Sequence, residues 1–141
     1  MSENKLRRRP TIYLAGSCSS KIVDNIKLRI KGTEYAGPVE FIDPKEIMPK
    51  RDNYINVAAV NNSAISQCDL MVCIMVNQTA GAAIELYICV ALNRKPAMIA
   101  TGVPADKMTP RIRQLTDAIY EIENIVDIIS VWVTNWYEGK V

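Results

Sequence analysis

Short apolar runs, each closed by turn residues, alternate along the chain with stretches whose apolar positions recur at helical spacing. Thr11 to Ala15 reads as a first strand, ended by Gly16 and the polar loop Ser17, Cys18, Ser19 and Ser20. Lys21 to Ile30 predicts a helix with Ile22, Val23, Ile26 and Ile30 on its apolar side. Val39 to Ile42 predicts a short second strand that stops at Asp43-Pro44. Asn53 to Gln67 places Ile55, Ala58, Ala59, Asn62 and Ile65 along one helical stripe, and Leu70 to Val76 follows as a third strand. A helix over Gly81 to Leu92 and a turn over Asn93 to Pro96 lead into a fourth strand, Ala97 to Ala100. Thr109-Pro110 predicts a helix start with proline at its first position, running to about Tyr120. Val126 to Val133 has the β-branched content of a fifth strand.

Strand alternating with helix at these spacings predicts parallel βαβ units. The expected architecture is a three-layer, doubly wound α/β domain on a five-stranded parallel sheet of flavodoxin or Rossmann type. A length of 141 residues with 49% hydrophobic content suits one such domain over residues 11–141. Lys5, Arg7, Arg8 and Arg9 crowd residues 1–10, which read as a solvated, flexible lead-in. In such sheets ligands bind beyond the carboxyl ends of the strands, where the connections diverge to opposite faces. The loops after the first and third strands are therefore expected to line the cleft, bringing Gly16 to Lys21 towards Thr79 to Glu85.

Charge and composition then narrow the chemistry. A formal charge of +2 is too small to argue for nucleic acid as a partner. No segment approaches a membrane span, and the first ten residues are charged where a secretory signal is apolar, so a soluble, cytoplasmic protein is expected. The chain has no histidine, which removes Ser-His and Cys-His catalytic pairs and leaves no basis for a zinc site. Cys18, Cys68, Cys73 and Cys89 form no CxxC pair and read as small core residues in a reducing compartment. Neither a GxGxxG fingerprint nor a GxxxxGK[ST] loop is present, and no metal or cofactor is expected.

What remains is Glu85, in the first turns of a helix that is otherwise Ala, Ile, Leu, Tyr, Cys and Val. A carboxylate in such surroundings is costly unless paired, hydrated or used, and a helix N-terminus keeps it ionised. The bland alternative is a carboxylate on the exposed stripe of an amphipathic helix. Ser17, Ser19, Ser20 and Lys21 supply hydroxyls, amides and one cation, which suits a single phosphate group but equally describes a serine-capped turn. Asn61 and Asn62 read as one buried, hydrogen-bonded amide and one exposed one, and Tyr13 by position alone is core.

The string IYLAGS at Ile12 to Ser17, Asp69 before the third strand, and TAGAAIELYICVALNRKP from Thr79 to Pro96 resemble the nucleoside 2-deoxyribosyltransferase family and its relatives, the 2'-deoxynucleoside 5'-phosphate N-hydrolases. The resemblance covers residues 11 to 100, with a weaker echo in MTPRIRQ near Thr109 and in the closing WYEGKV. It implies a flavodoxin-like domain that cleaves the N-glycosidic bond of deoxyribonucleosides or their monophosphates, as a homodimer or higher homo-oligomer whose sites are completed by a neighbouring chain. It also implies that Glu85 is the nucleophile attacking C1' of the sugar, through an oxocarbenium-like transition state to a covalent glycosyl-enzyme.

Substrate-binding positions implied by the same comparison are Tyr13, Gly16, Ser17, Ser19, Ser20, Lys21, Thr79 and Gly81, with Thr109 reaching the phosphate of a neighbouring subunit's substrate. The transferases tend to carry an aspartate where this chain has Thr79, and a neutral hydroxyl tolerates a phosphate dianion that an aspartate would repel. The family's usual aspartate eight residues before Asp69 is Asn61 here, an amide that can hold Glu85 but cannot deliver a carboxyl proton. The first expectation is hydrolysis of a 2'-deoxynucleoside 5'-monophosphate. Base exchange by a deoxyribosyltransferase, and a nucleotide-sensing module that has lost turnover, are the alternatives.

Overall fold

A computed structural model describes residues 7–16, 21–43, 46, 63–64, 66–75, 97–101, 110 and 119–141. They form an α/β fold built on a parallel sheet. Its strands are β1 (Thr11–Gly16), β2 (Glu40–Ile42), β3 (Leu70–Met75), β4 (Ala97–Thr101) and β5 (Ile119–Glu121). The pairing order is β2-β1-β3-β4-β5, and every neighbouring pair is parallel. Two helices, α1 (Lys21–Gly32) and α2 (Ile125–Tyr137), pack together over one face. Among the described residues no helix is long and apolar enough to cross a membrane.

The register of β1 against β3 sets Ile12 opposite Leu70, Leu14 opposite Val72 and Gly16 opposite Ile74. Side chains alternate across a strand, so these positions share a face. On it they meet Val23, Ile26 and Ile30 of α1 and Ile125, Ile129, Trp132, Val133 and Trp136 of α2. The alternate set, Tyr13, Ala15, Met71, Cys73 and Met75, is equally closed to water. Burial on both faces explains why TIYLA and LMVCIM are nearly unbroken apolar runs, as expected of central strands in a parallel sheet. Burial also pushes the Cys73 thiol far above its ordinary value, with the neighbouring Cys68 adding to the shift.

The expected fifth strand over Val126 to Val133 is wrong: that segment lies inside α2, and the chain pairs with β4 through Ile119–Glu121 instead. Of the helix expected from Thr109-Pro110 to about Tyr120, Pro110 is helical, Ile119 and Tyr120 belong to β5, and residues 111–118 lie outside those described. The reason is periodicity. As a strand, Ser130 and Asp127 would put a polar residue on each face, whereas a helix buries Ile125, Ile129, Trp132, Val133 and Trp136 together. Helix propensity disfavours a β-branched residue by at most about 0.7 kcal/mol, while each large apolar side chain buried contributes about 1.5–3 kcal/mol. Packing therefore overrides propensity. The helix stops at Gly139, whose φ of 76° suits glycine, with Gly139 N–H bonded to the Trp136 carbonyl and Lys140 N–H to that of Asn135.

The apolar side of α1 is also shifted from the expected one. Ile22 is 61% exposed, and the buried stripe is Val23, Ile26, Lys27 and Ile30. A lysine thus occupies a core position.

From Arg7 onward the basic segment is anchored, where its charge pattern reads as a solvated lead-in. Arg8 holds both oxygens of Asp69, Nη1 to Oδ2 at 2.8 Å and Nη2 to Oδ1 at 2.6 Å. The same Asp69 accepts the Thr11 N–H at 2.8 Å and donates its own N–H to the Thr11 carbonyl at 2.7 Å. Trp136 Nε1 donates to the Arg8 carbonyl at 2.9 Å, and the Arg7 guanidinium lies 4.1 Å from the Trp136 ring centre. Asp69, noticed in the sequence as the residue before a strand, is thus a clasp at the amino edge of the β1–β3 pair.

Asp69→Ala is expected to lower stability by about 2 kcal/mol, since it strips a charged acceptor from a partly buried backbone donor. Arg8→Ala should cost under about 1 kcal/mol, because its side chain is 63% exposed. Urea unfolding of both variants checks the order; equal losses would mean that the ion pair, and not the Thr11 amide, carries the effect.

Candidate functional site

Parallel pairing brings the carboxyl ends of all the strands, Gly16, Ile42, Met75, Thr101 and Glu121, to one edge. From β1 the chain passes through α1 to β2 on one side, while β3 lies on β1's other side. The order therefore reverses between β1 and β3, the position at which open α/β sheets leave a crevice. Gly16 and Ile74 face each other at its mouth.

Gly16 is required there by packing. A Cβ at this position would stand 2.8 Å from Val23 Cγ1 and 3.3 Å from the Ile74 carbonyl oxygen. The bare backbone lets the first turn of α1 close against the strand ends. Lys21, the first residue of α1, is exposed at the same edge. Tyr13 is fully buried within β1, in agreement with its reading as core from position alone. Ser17, Ser19, Ser20, Asn61, Thr79, Gly81, Glu85 and Thr109 lie outside the described residues. So do the helix expected over Gly81 to Leu92 and most of the one over Asn53 to Gln67, of which Ser63, Ala64, Ser66 and Gln67 are helical.

A second polar feature at this edge was not singled out from the sequence. Asp43 follows the last residue of β2 and is 5% exposed; Lys27 of α1 is 1% exposed. Lys27 Nζ reaches Asp43 Oδ1 at 2.9 Å, and Lys31 Nζ bridges Asp43 Oδ2 at 3.1 Å and Glu46 Oε1 at 2.8 Å. The network ties α1 to the chain leaving β2. The available signal was Lys27 itself, a cation four residues after Val23 and three before Ile30 in an apolar stripe. Burial pulls the Lys31 ammonium down, but its hydrogen bonds to Glu46 and Asp43 outweigh this and leave it above its ordinary value. Among the described residues no group of Cys, Asp and Glu side chains is placed to hold a metal ion.

The class these features define is an α/β protein with a parallel sheet and a switch-point crevice between its first and third strands. Among solved structures it is similar to the crystal structure of a conserved protein from Enterococcus faecalis V583, with a TM-score of 0.56 and 16% identity over 94% of this chain and 88% of that one. At that identity the likeness is one of fold. No family model and no curated protein matches the chain.

Asp43→Leu alone should cost about 3–5 kcal/mol, because it leaves the buried Lys27 without its carboxylate, and Lys27→Met less, because Lys31 still holds Asp43, whereas the Lys27→Met/Asp43→Leu pair should lose less than the sum of the two. A double-mutant cycle by urea unfolding measures this; additive losses would mean the two residues are not coupled. Lys31 is held above 10.5, so its contribution is complete below that pH and is lost as pH rises through the higher folded value. Unfolding midpoints followed upward through that range should fall less steeply for Lys31→Met than for the parent.

Proposed function

We propose that the protein is an N-glycosidase that hydrolyses the bond between base and sugar of a 2'-deoxynucleoside 5'-monophosphate. Glu85 acts as nucleophile: its carboxylate forms a bond to C1' as the base leaves with the glycosidic electron pair and takes a proton from solvent water. Water then attacks C1' of the glycosyl-enzyme, giving deoxyribose 5-phosphate and regenerating the carboxylate. The missing 2'-hydroxyl eases cation formation at C1', so one carboxylate serves without histidine or metal. Asn61 orients Glu85 by a hydrogen bond; Gly16, Ser17, Ser19, Ser20, Lys21, Thr79 and Gly81 receive the sugar phosphate, and Thr109 contributes from a neighbouring copy.

The observation that carries this reading is one of placement. Of the segments with the resemblance, IYLAGS begins on β1, Asp69 immediately precedes β3, and Thr79 to Pro96 follows β3 in the sequence; β1 and β3 are neighbours at the switch point. Loops leaving those two strands begin side by side, as a site shared between them requires. Tyr13 is buried behind this edge, so its part is to support the β1 end. The strand order and the burial of both sheet faces likewise support the three-layer, five-stranded flavodoxin-like architecture.

Asn61 favours a second reading, a nucleotide-sensing module without turnover, because an amide supplies no proton to the departing base. Incubation with a panel of deoxy- and ribonucleoside monophosphates, followed by chromatography, separates the two. Free base is expected from deoxynucleotides alone, with at least about a thousandfold loss in Glu85→Ala. Equal yields from parent and variant would refute the role of Glu85. Saturable binding without released base would favour the sensing module, and incorporation of an added free base would indicate a transferase.

A further inference from the structure

A cleft of about 670 Å³ opens at the amino edge of the sheet, lined by Arg7, Arg9, Gly37, Pro38, Thr134 and Tyr137 among others. Its place follows from the topology. Arg7 and Arg9 precede β1, Gly37 and Pro38 precede β2, and Thr134 and Tyr137 close α2, so the cleft lies across the length of the strands from Gly16 and the proposed catalytic edge. Six residues of β1 separate the two, about 20 Å at the rise of an extended strand.

The cleft is built, not merely left over. Tyr137 lies on the backbone of Gly37 so closely that a Cβ there would collide with the Tyr137 ring, and the phenol donates to the Pro38 carbonyl at 2.6 Å. One wall is therefore a fixed aromatic ring. Arg7 is set by its stacking on Trp136 and by its hydrogen bond to the Val141 carbonyl. Arg9 is the more available cation: its only described carboxylate contact is Glu40 at 3.8 Å, with both side chains more than half exposed, which binds it weakly. Its charge is felt at the Tyr137 hydroxyl, where it opposes the upward push of burial. Glu138, also on the lining, is engaged by Lys140 at 2.8 Å.

We infer that this cleft binds a small organic phosphate, with the phosphate between the Arg7 and Arg9 guanidiniums and the organic part against the Tyr137 ring. Two planar guanidiniums supply the forked donors that phosphate oxygens take in pairs, and the volume falls in the range of small-molecule sites. A ligand there touches the segment before β1, the segment before β2 and the end of α2. It would bind independently of a substrate at the carboxyl edge.

The test is calorimetric titration of the full chain with phenyl phosphate at fixed ionic strength, using the parent, Arg9→Gln and, as a control for net charge, Arg29→Gln, an exposed cation of α1 outside both sites. Saturable binding is expected, weakened by at least about tenfold in Arg9→Gln, the loss of one charge-assisted contact, and unchanged in Arg29→Gln. Phenyl phosphate should also slow phenylglyoxal modification of Arg7 and Arg9 in the unmutated protein, read by peptide mass spectrometry, so the inference does not depend on the variant folding. Absence of saturable binding, equal affinity in the parent and Arg9→Gln, an equal loss in Arg29→Gln, or no protection of the arginines would each overturn it.

Discussion

The pairing of β1 with β3 is the contact on which the rest of the molecule depends. Five residues of each strand run in register, from Ile12 with Leu70 to Gly16 with Ile74, and both faces of the pair are closed to water. Its amino end is clasped by Asp69 on Thr11 and Arg8; its carboxyl end is closed by Gly16 on Val23. Such a pair tolerates no slip, since a one-residue shift would exchange the sets of side chains facing the two layers. It also creates the switch point, because β2 and β3 leave β1 on opposite sides.

Helices α1 and α2 are consequences of that pair. Each lays an apolar stripe on Ile12, Leu14, Leu70, Val72 and Ile74, and each carries, among its polar attachments to the chain around it, one set within the core. For α1 the attachment is Lys27 on Asp43, a buried charge pair beside the carboxyl edge. For α2 it is the Trp136 indole on the Arg8 carbonyl, at the amino edge. A buried pair of charges contributes little net stability over an apolar substitute, yet it disallows alternatives that leave either charge alone. Lys27 thereby sets where the chain leaves β2 relative to α1, and Trp136 sets the path of the segment entering β1. The two edges acquire different chemistry: small residues and a lysine at one, guanidiniums and an aromatic wall at the other.

Strands β1 to β4 and the helix after β1 were legible in the sequence because the local signal and the tertiary outcome agree. An apolar run bounded by Gly16 or Asp43-Pro44 has few other places to go than the interior of a sheet. Disagreement arose where local preference and packing pull apart. The segment from Val126 to Val133 is rich in β-branched residues but becomes helical, since only a helix gathers Ile125, Ile129, Trp132, Val133 and Trp136 on one side. Gly139 and Lys140, a helix-stop pattern, were the local clue to that outcome. Of the residues singled out for the site, Gly16 and Lys21 stand at the carboxyl edge, Tyr13 lies in the interior, and the remainder fall outside the described residues.

By itself, then, the sequence determined the alternation of strand and helix, the two runs that become central strands, and the absence of histidine chemistry, for these follow from the period and type of neighbouring residues. Tertiary structure alone decided that Lys27 is buried against Asp43, that Arg7 and Arg8 are docked, and that Asp69 serves as a clasp. Each of those depends on a partner distant in sequence, from a separation of 16 for Lys27 and Asp43 to one of 134 for Arg7 and Val141. No local pattern encodes a contact over such separations; it exists only once the sheet has brought the two ends of the chain to the same edge.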